Sequence, residues 1–180
     1  MAGAPAPKSL LLYSQRFSRQ GLHGEALAGF LIPSDLLPGS AATAVVLDTN
    51  VVLAWWVFED PRTRVLAQAL QDHRLRWLAT EPMLDELRHV LCRPLPHRWE
   101  ASREHALTFE PRAWATTVAV PRQPPPHWQC SDPDDQKFLD LARALSAKWL
   151  LTRDRSLLRW RRRASAIGLR VAPPEDWEPG

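Results

Sequence analysis

The sequence predicts an α/β protein, a three-layer α/β/α sandwich around a mainly parallel central sheet. Three observations carry that expectation. Short, nearly continuous apolar runs recur as "TAVVLD" from Thr43, "LRWLAT" from Leu75, "KWLLT" from Lys148 and a last run ending at Val171. Runs of this kind suit strands buried on both faces. Helically spaced segments separate them, and strands alternating with helices imply parallel pairing with helices on both sides of the sheet. Finally, "VVLDTNVVLAWW" breaks from apolar residues at Asp48, Thr49 and Asn50 and then resumes. A carboxylate at the carboxyl end of such a strand lies where open α/β sheets place their ligands.

Each element has its own local reason. After "TAVVLD", the run "NVVLAWWVF" is too long for one strand and reads as a helix despite its β-branched content. In "DPRTRVLAQALQDHR", Pro61 suits a helix start and Val65, Leu66, Ala69 and Leu70 share a face. "LRWLAT" is the second strand, and "EPMLDELRHVLCRPL" is a helix that Pro94 stops. "HRWEASREHALTFEPRAWATTVAV" reads as helical pieces broken at Pro111, and "PRQPPPHWQC" as a loop. "SDPDDQKFLDLARALSA" reads as a helix with Asp132 as N-cap and Pro133 at its first position, turning Phe138, Leu141, Ala142 and Leu145 inward. "KWLLT" is a third strand, and the last one ends at Val171 before a polar, proline-bearing tail.

Composition bounds the rest. A chain of 180 residues fits one domain with a proper core. Residues 1–42 scatter Gly, Pro and Ala without a sustained period, so they read as an N-terminal extension, linker-like or disordered, ahead of a domain over 43–175 and a tail over 176–180. The net charge of +3 would suit a phosphate-bearing partner and is weak by itself. Two cysteines make no disulfide framework and fit a reducing compartment. The run "SLLLY" is too short for a signal peptide's apolar core, and no stretch has the length of a membrane span. The expectation is a soluble cytoplasmic protein.

The chemistry lies in the acids that a parallel sheet would gather at one edge. They are Asp48 after the first strand, Glu86 on the helix after the second, Asp134 or Asp135 at the start of a later helix, and Asp154 after the third strand. Four carboxylates in one crevice repel one another unless a divalent cation neutralises them. All-oxygen ligands suit Mg²⁺ or Mn²⁺ rather than zinc, and the chemistry served best is metal-assisted phosphodiester hydrolysis. Each acid also has a plainer reading. Asp48 and Asn50 could cap a helix, Asp132, Asp134 and Asp135 could serve a helix dipole, Glu86 could be a solvated surface acid, and Asp154 a turn residue paired with Arg153 or Arg155. Their joint placement at one sheet edge favours a shared site.

The segments "VVLDTNVVL", "TEPMLDELRHVL", "SDPDDQKFLDLARALSAKWLLTRDRSLL" and "RVAPPEDW", in that order, resemble the PIN-domain family, most closely the branch of bacterial toxin–antitoxin toxin components. The resemblance spans about residues 43–175. It implies an endoribonuclease that binds Mg²⁺ or Mn²⁺ and cuts single-stranded RNA, with an antitoxin protein as partner and a homodimeric state. Carried over by position, it implies Asp48, Glu86, Asp135 and Asp154 as catalytic metal ligands, with Asp134 the rival of Asp135 and Asp85 the neighbour of Glu86. Asn50 would orient a ligand or water, and Thr152 would support the site with its hydroxyl. The N-terminal extension and the abundance of tryptophan depart from the family pattern.

Two further constellations stand out. "HVLC" and "HWQC" space His89 from Cys92 and His127 from Cys130 at three residues, which could in principle serve a zinc site, but zinc signatures are tighter and differently ordered, so Cys92 reads instead as a small core residue. In "RDRSLLRWRRR", Arg153, Arg155 and Arg159 could take phosphates while Trp160 stacks on an unpaired base, or the segment could be a solvated helix face with a tryptophan tucked beneath it. An aspartate-nucleophile phosphohydrolase would need a second acid at position 50, where Asn50 stands. A non-catalytic RNA-binding module and a housekeeping RNA-processing nuclease remain as rivals.

Overall fold

The computed structural model describes residues 42–93, 106–121 and 128–178. The expected extension up to residue 41, Pro94, most of the proline-rich loop and His127 lie outside the described residues. A five-stranded, wholly parallel sheet runs in the order β3-β2-β1-β4-β5. Its strands are β1 (Thr43–Leu47), β2 (Leu75–Thr80), β3 (Ala115–Val118), β4 (Trp149–Leu151) and β5 (Arg170–Ala172). Val45, Val46 and Leu47 are consecutive and at most 1% exposed, as are Leu150 and Leu151. Successive strand residues point to opposite faces, so burial of each in turn means that both faces are covered. The α/β fold with helices on both sides is therefore as expected.

Six α-helices complete the described fold. They are α1 (Thr49–Trp56), α2 (Arg64–Gln71), α3 (Glu81–Leu91), α4 (Gln136–Ala144), α5 (Arg155–Leu158) and α6 (Arg161–Ser165). A 3₁₀ turn, Pro61–Thr63, leads into α2, where Leu66, Ala69 and Leu70 are buried while Val65 stays 54% exposed. In α4, Phe138, Leu139, Leu141 and Ala142 are all buried, and the helix packs on β1 and β4. Gly168, at φ +80°, turns the chain from α6 into β5, a conformation that costs glycine nothing. Among the described residues no helix is long and apolar enough to cross a membrane.

Four expectations are corrected. The stretch expected as helical pieces before the proline-rich loop contains β3, which pairs with β2 from Trp77↔Ala115 to Thr80↔Val118. It is an edge strand whose residues are half-buried or exposed, so no apolar run betrayed it. Its β-branched Thr116, Thr117 and Val118 were the available signal. The helix expected to start at Pro133 starts at Gln136 instead. The Asp132 carboxylate accepts from the Asp134 N–H (2.9 Å), and the hydrogen bond holds a turn ahead of the helix rather than capping it. Cys92 is exposed at the end of α3, not buried in a core. Last, the tail holds a 3₁₀ turn, Pro174–Asp176, followed by a buried Trp177.

The surplus of tryptophan has a packing explanation. Trp55, Trp56, Phe109 and Trp114 form one cluster between α1 and the turn leading to β3, with Trp55 edge-on to Phe109 at 5.9 Å and to Trp114 at 5.1 Å. Edge-to-face contacts of this kind add to area burial. Trp149 lies in β4 with the Arg170 guanidinium 5.1 Å from its ring centre. Large aromatic faces fill positions where smaller aliphatics were expected.

Candidate active site

From β1 the chain leaves the sheet at Asp48, whose backbone N–H donates to Leu151 of β4 at 3.0 Å. Strand β1 connects onward to β2 on one side and has β4 on the other, so the gap between β1 and β4 is the topological switch point of the sheet. Asp48 is 2% exposed. One carboxylate oxygen accepts from the Asn50 N–H at 3.3 Å and caps α1, and the other accepts from the Thr152 hydroxyl at 2.7 Å. The capping reading is thus true without exhausting the residue. Burial raises the Asp48 pKa to about 6, with Asp135 and Asp154 adding repulsion and the two hydrogen bonds opposing.

Across the gap, Thr152 follows β4 and is fully buried. Its oxygen both donates to Asp48 and accepts from the Asp154 N–H at 2.9 Å. Asp154 caps the short helix α5 by accepting from the Ser156 N–H at 2.7 Å. The Ser156 hydroxyl then donates to Asp135, half-buried just ahead of α4. Two hydroxyls therefore string Asp48, Asp154 and Asp135 together. The Asp135 pKa is also raised, chiefly by burial, then by Asp154 and Asp132, against the Ser156 hydrogen bond.

Glu86 reaches the same region from α3, accepting from the Thr49 hydroxyl at 3.0 Å and pairing with Lys137 of α4. Its neighbour Asp85 is exposed and bound to Arg88 at 3.0 Å. Asp134 is exposed as well, and its backbone carbonyl accepts from Lys137 at 2.6 Å. Within each rival pair, Glu86 and Asp135 are half-buried and Asp85 and Asp134 are exposed. Asn50 is exposed and reaches Asp48 through its backbone. Thr49, Lys137 and Ser156 were not singled out from the sequence. Thr49 and Ser156 lie one and two residues from acids that were, and adjacency to an acid was the signal available.

Among the described residues no three His, Cys, Asp or Glu side chains converge as a finished metal cage. The donor chemistry nonetheless fits a hard divalent cation, because the donors are all oxygen and a buried carboxylate faces two repelling ones. Of the residues in the zinc reading, the His89 ring lies against the Asp85 carbonyl at 3.3 Å and Cys92 is exposed, while His127 lies outside the described residues.

The basic segment divides. Arg153 is committed to Asp60 and Glu175, each at 2.9 Å, so its fork is already filled with carboxylate. The Arg62 guanidinium, with its own backbone N–H and Arg153, holds Asp60 well below the usual carboxylate range. Trp160 stacks on Trp128 with ring centres 5.0 Å apart and planes at 16°, and Arg163 lies over both rings. Trp160 is half-buried, with one face on Trp128. Arg155, next to Asp154 along the chain, and Arg159 are exposed.

Thr152→Val is expected to cost about 1–3 kcal/mol of stability, because the buried Asp48 loses a donor and the Asp154 N–H loses its acceptor. Thr152→Ser should recover most of that in chemical denaturation. A valine variant as stable as wild type would mean that these two hydrogen bonds contribute nothing net.

A parallel sheet with buried and half-buried aspartates across its switch point defines an α/β protein with an acidic crevice at the carboxyl edge. The family model for the PIN domain matches residues 44–156, more than half of the chain, and the chain belongs to the PIN-domain family. PIN domains are generally nucleases and typically use divalent metals. No curated protein matches the chain.

Proposed function

We propose that the chain is a Mg²⁺- or Mn²⁺-dependent endoribonuclease that hydrolyses phosphodiester bonds of single-stranded RNA. The observation that carries this reading is the hydrogen-bonded string from Asp48 through Thr152, Asp154 and Ser156 to Asp135, which holds three mutually repelling acids at the switch point. Asp48, Glu86, Asp135 and Asp154 would hold the cation, with Asp134 the outer alternative. When bound, such an ion lowers the pKa of a coordinated water and offsets charge on the scissile phosphate. The chain's own groups do the positioning. Thr152 and the Asn50 N–H fix the Asp48 carboxylate, Ser156 fixes Asp135, and Thr49 fixes one oxygen of Glu86. Arg155 and Arg159 supply exposed forks for RNA phosphates. A toxin role with an antitoxin partner, a homodimeric state and a cytoplasmic location complete the proposal, supported by the motif resemblance and by the basic excess.

The test is cleavage of single-stranded RNA by the purified chain in Mn²⁺, Mg²⁺ or EDTA, beside Asp154→Asn. Cleavage that needs metal and is lost in the variant is the expected result. Cleavage that persists in EDTA would refute the metal reading, and Mn²⁺ binding without cleavage of any RNA would favour a binding module.

A further inference from the structure

Lys137 is the one cation in contact with a proposed ligand of the acidic crevice among the described residues. It follows Asp135 by two positions, and its ammonium pairs with one oxygen of Glu86 while donating to the Asp134 carbonyl at 2.6 Å. The other Glu86 oxygen accepts from Thr49 at 3.0 Å. Both oxygens of Glu86 are therefore engaged, one by a hydroxyl that leaves its charge intact and one by a countercation that cancels it. The Lys137 ammonium also lies over the Phe138 ring, 5.1 Å from its centre. The pair is only partly screened, with side chains 27% and 37% exposed.

We propose that Lys137 is a resident countercation of the crevice, a positioning residue that holds Glu86 in place and competes with a divalent cation for its carboxylate. A cation that takes the Glu86 oxygen held by Lys137 must displace the ammonium, and one that takes the other oxygen still meets its repulsion. The metal-free crevice is thereby spared some repulsion, and metal affinity is set below what the acids alone would give. This inference rests on the metal-binding reading above.

The test is calorimetric titration of Mn²⁺ into the full chain as wild type, Lys137→Met, Lys137→Arg, Glu86→Gln, the Lys137→Met/Glu86→Gln double variant, and Asp48→Asn. Methionine keeps an unbranched apolar stem and removes the charge. Lys137→Met should bind Mn²⁺ about two- to fivefold more tightly, the range a partly exposed pair supports. Lys137→Arg should stay near wild type, and the double variant should match Glu86→Gln alone. A gain in affinity is not an effect that misfolding produces. If Lys137→Met binds Mn²⁺ no better than wild type, or gains equally in the Glu86→Gln background, the inference falls while wild-type binding lost in Asp48→Asn upholds the metal site. If wild type binds no Mn²⁺, the metal reading falls and takes the inference with it.

Discussion

Asp48→Asn is expected to lower RNA cleavage by more than about 100-fold, since even groups that merely support a metal ligand typically cost 10–100-fold when removed. The same substitution should stabilise the metal-free protein by roughly 2 kcal/mol near neutral pH, because it removes a charge that burial disfavours. The folded carboxyl keeps its proton up to about pH 6, whereas the unfolded one releases it near 3.8. Between those values the folded state binds more protons, so this residue's contribution to stability is full below 3.8 and is lost as pH rises through about 6. Denaturant titrations in EDTA across that window should show wild type losing stability relative to the variant, which cannot ionise. A variant less stable than wild type at every pH would mean that the hydrogen bonds to Thr152 and Asn50 outweigh burial. Opposite signs for activity and stability are what a site kept at the expense of folding displays.

Phe138→Ala is expected to destabilise the chain by about 3–5 kcal/mol, the usual cost of emptying a buried aromatic site. Phe138 is 2% exposed and shares a small interior gap with Leu47, Val52, Trp77 and Leu87, so its loss opens space between α4 and the sheet. Such a loss is a large share of a domain's stability. Urea unfolding should show a lowered midpoint with an unchanged slope. Because the proposed ligand Asp135 lies three residues before Phe138 on the chain, weaker Mn²⁺ binding should accompany the loss. A cost under about 1 kcal/mol would mean that the gap collapses freely around the smaller side chain.

Much of the fold was legible because buried parallel strands and amphipathic helices leave strong one-dimensional signals. Val45–Leu47 and Trp149–Leu151 are apolar in succession because both faces are covered. β3 left no such mark, since an edge strand with half-buried residues needs no apolar run, and its identity comes from pairing with β2. The start of α4 was misplaced for a related reason. Asp132 and Pro133 form a capping pattern by composition, but the Asp132 carboxylate spends its hydrogen bond on a turn, and three residues pass before the helix begins.

For the crevice, the sequence by itself determined that acids follow the first and third apolar runs and precede a later helix, because residue type and order are local facts. Only the tertiary structure decided which of them face one another. Asp85 and Glu86 are neighbours on α3, yet one meets Arg88 and the other meets Thr49 and Lys137, a difference set by helix rotation against the sheet. Arg153 and Trp160 look like RNA contacts in one dimension, while the fold brings Asp60, Glu175 and Trp128 to them from distant positions. Charge and aromaticity can be read along a chain, but whether a group is free to meet a ligand depends on partners that only folding supplies.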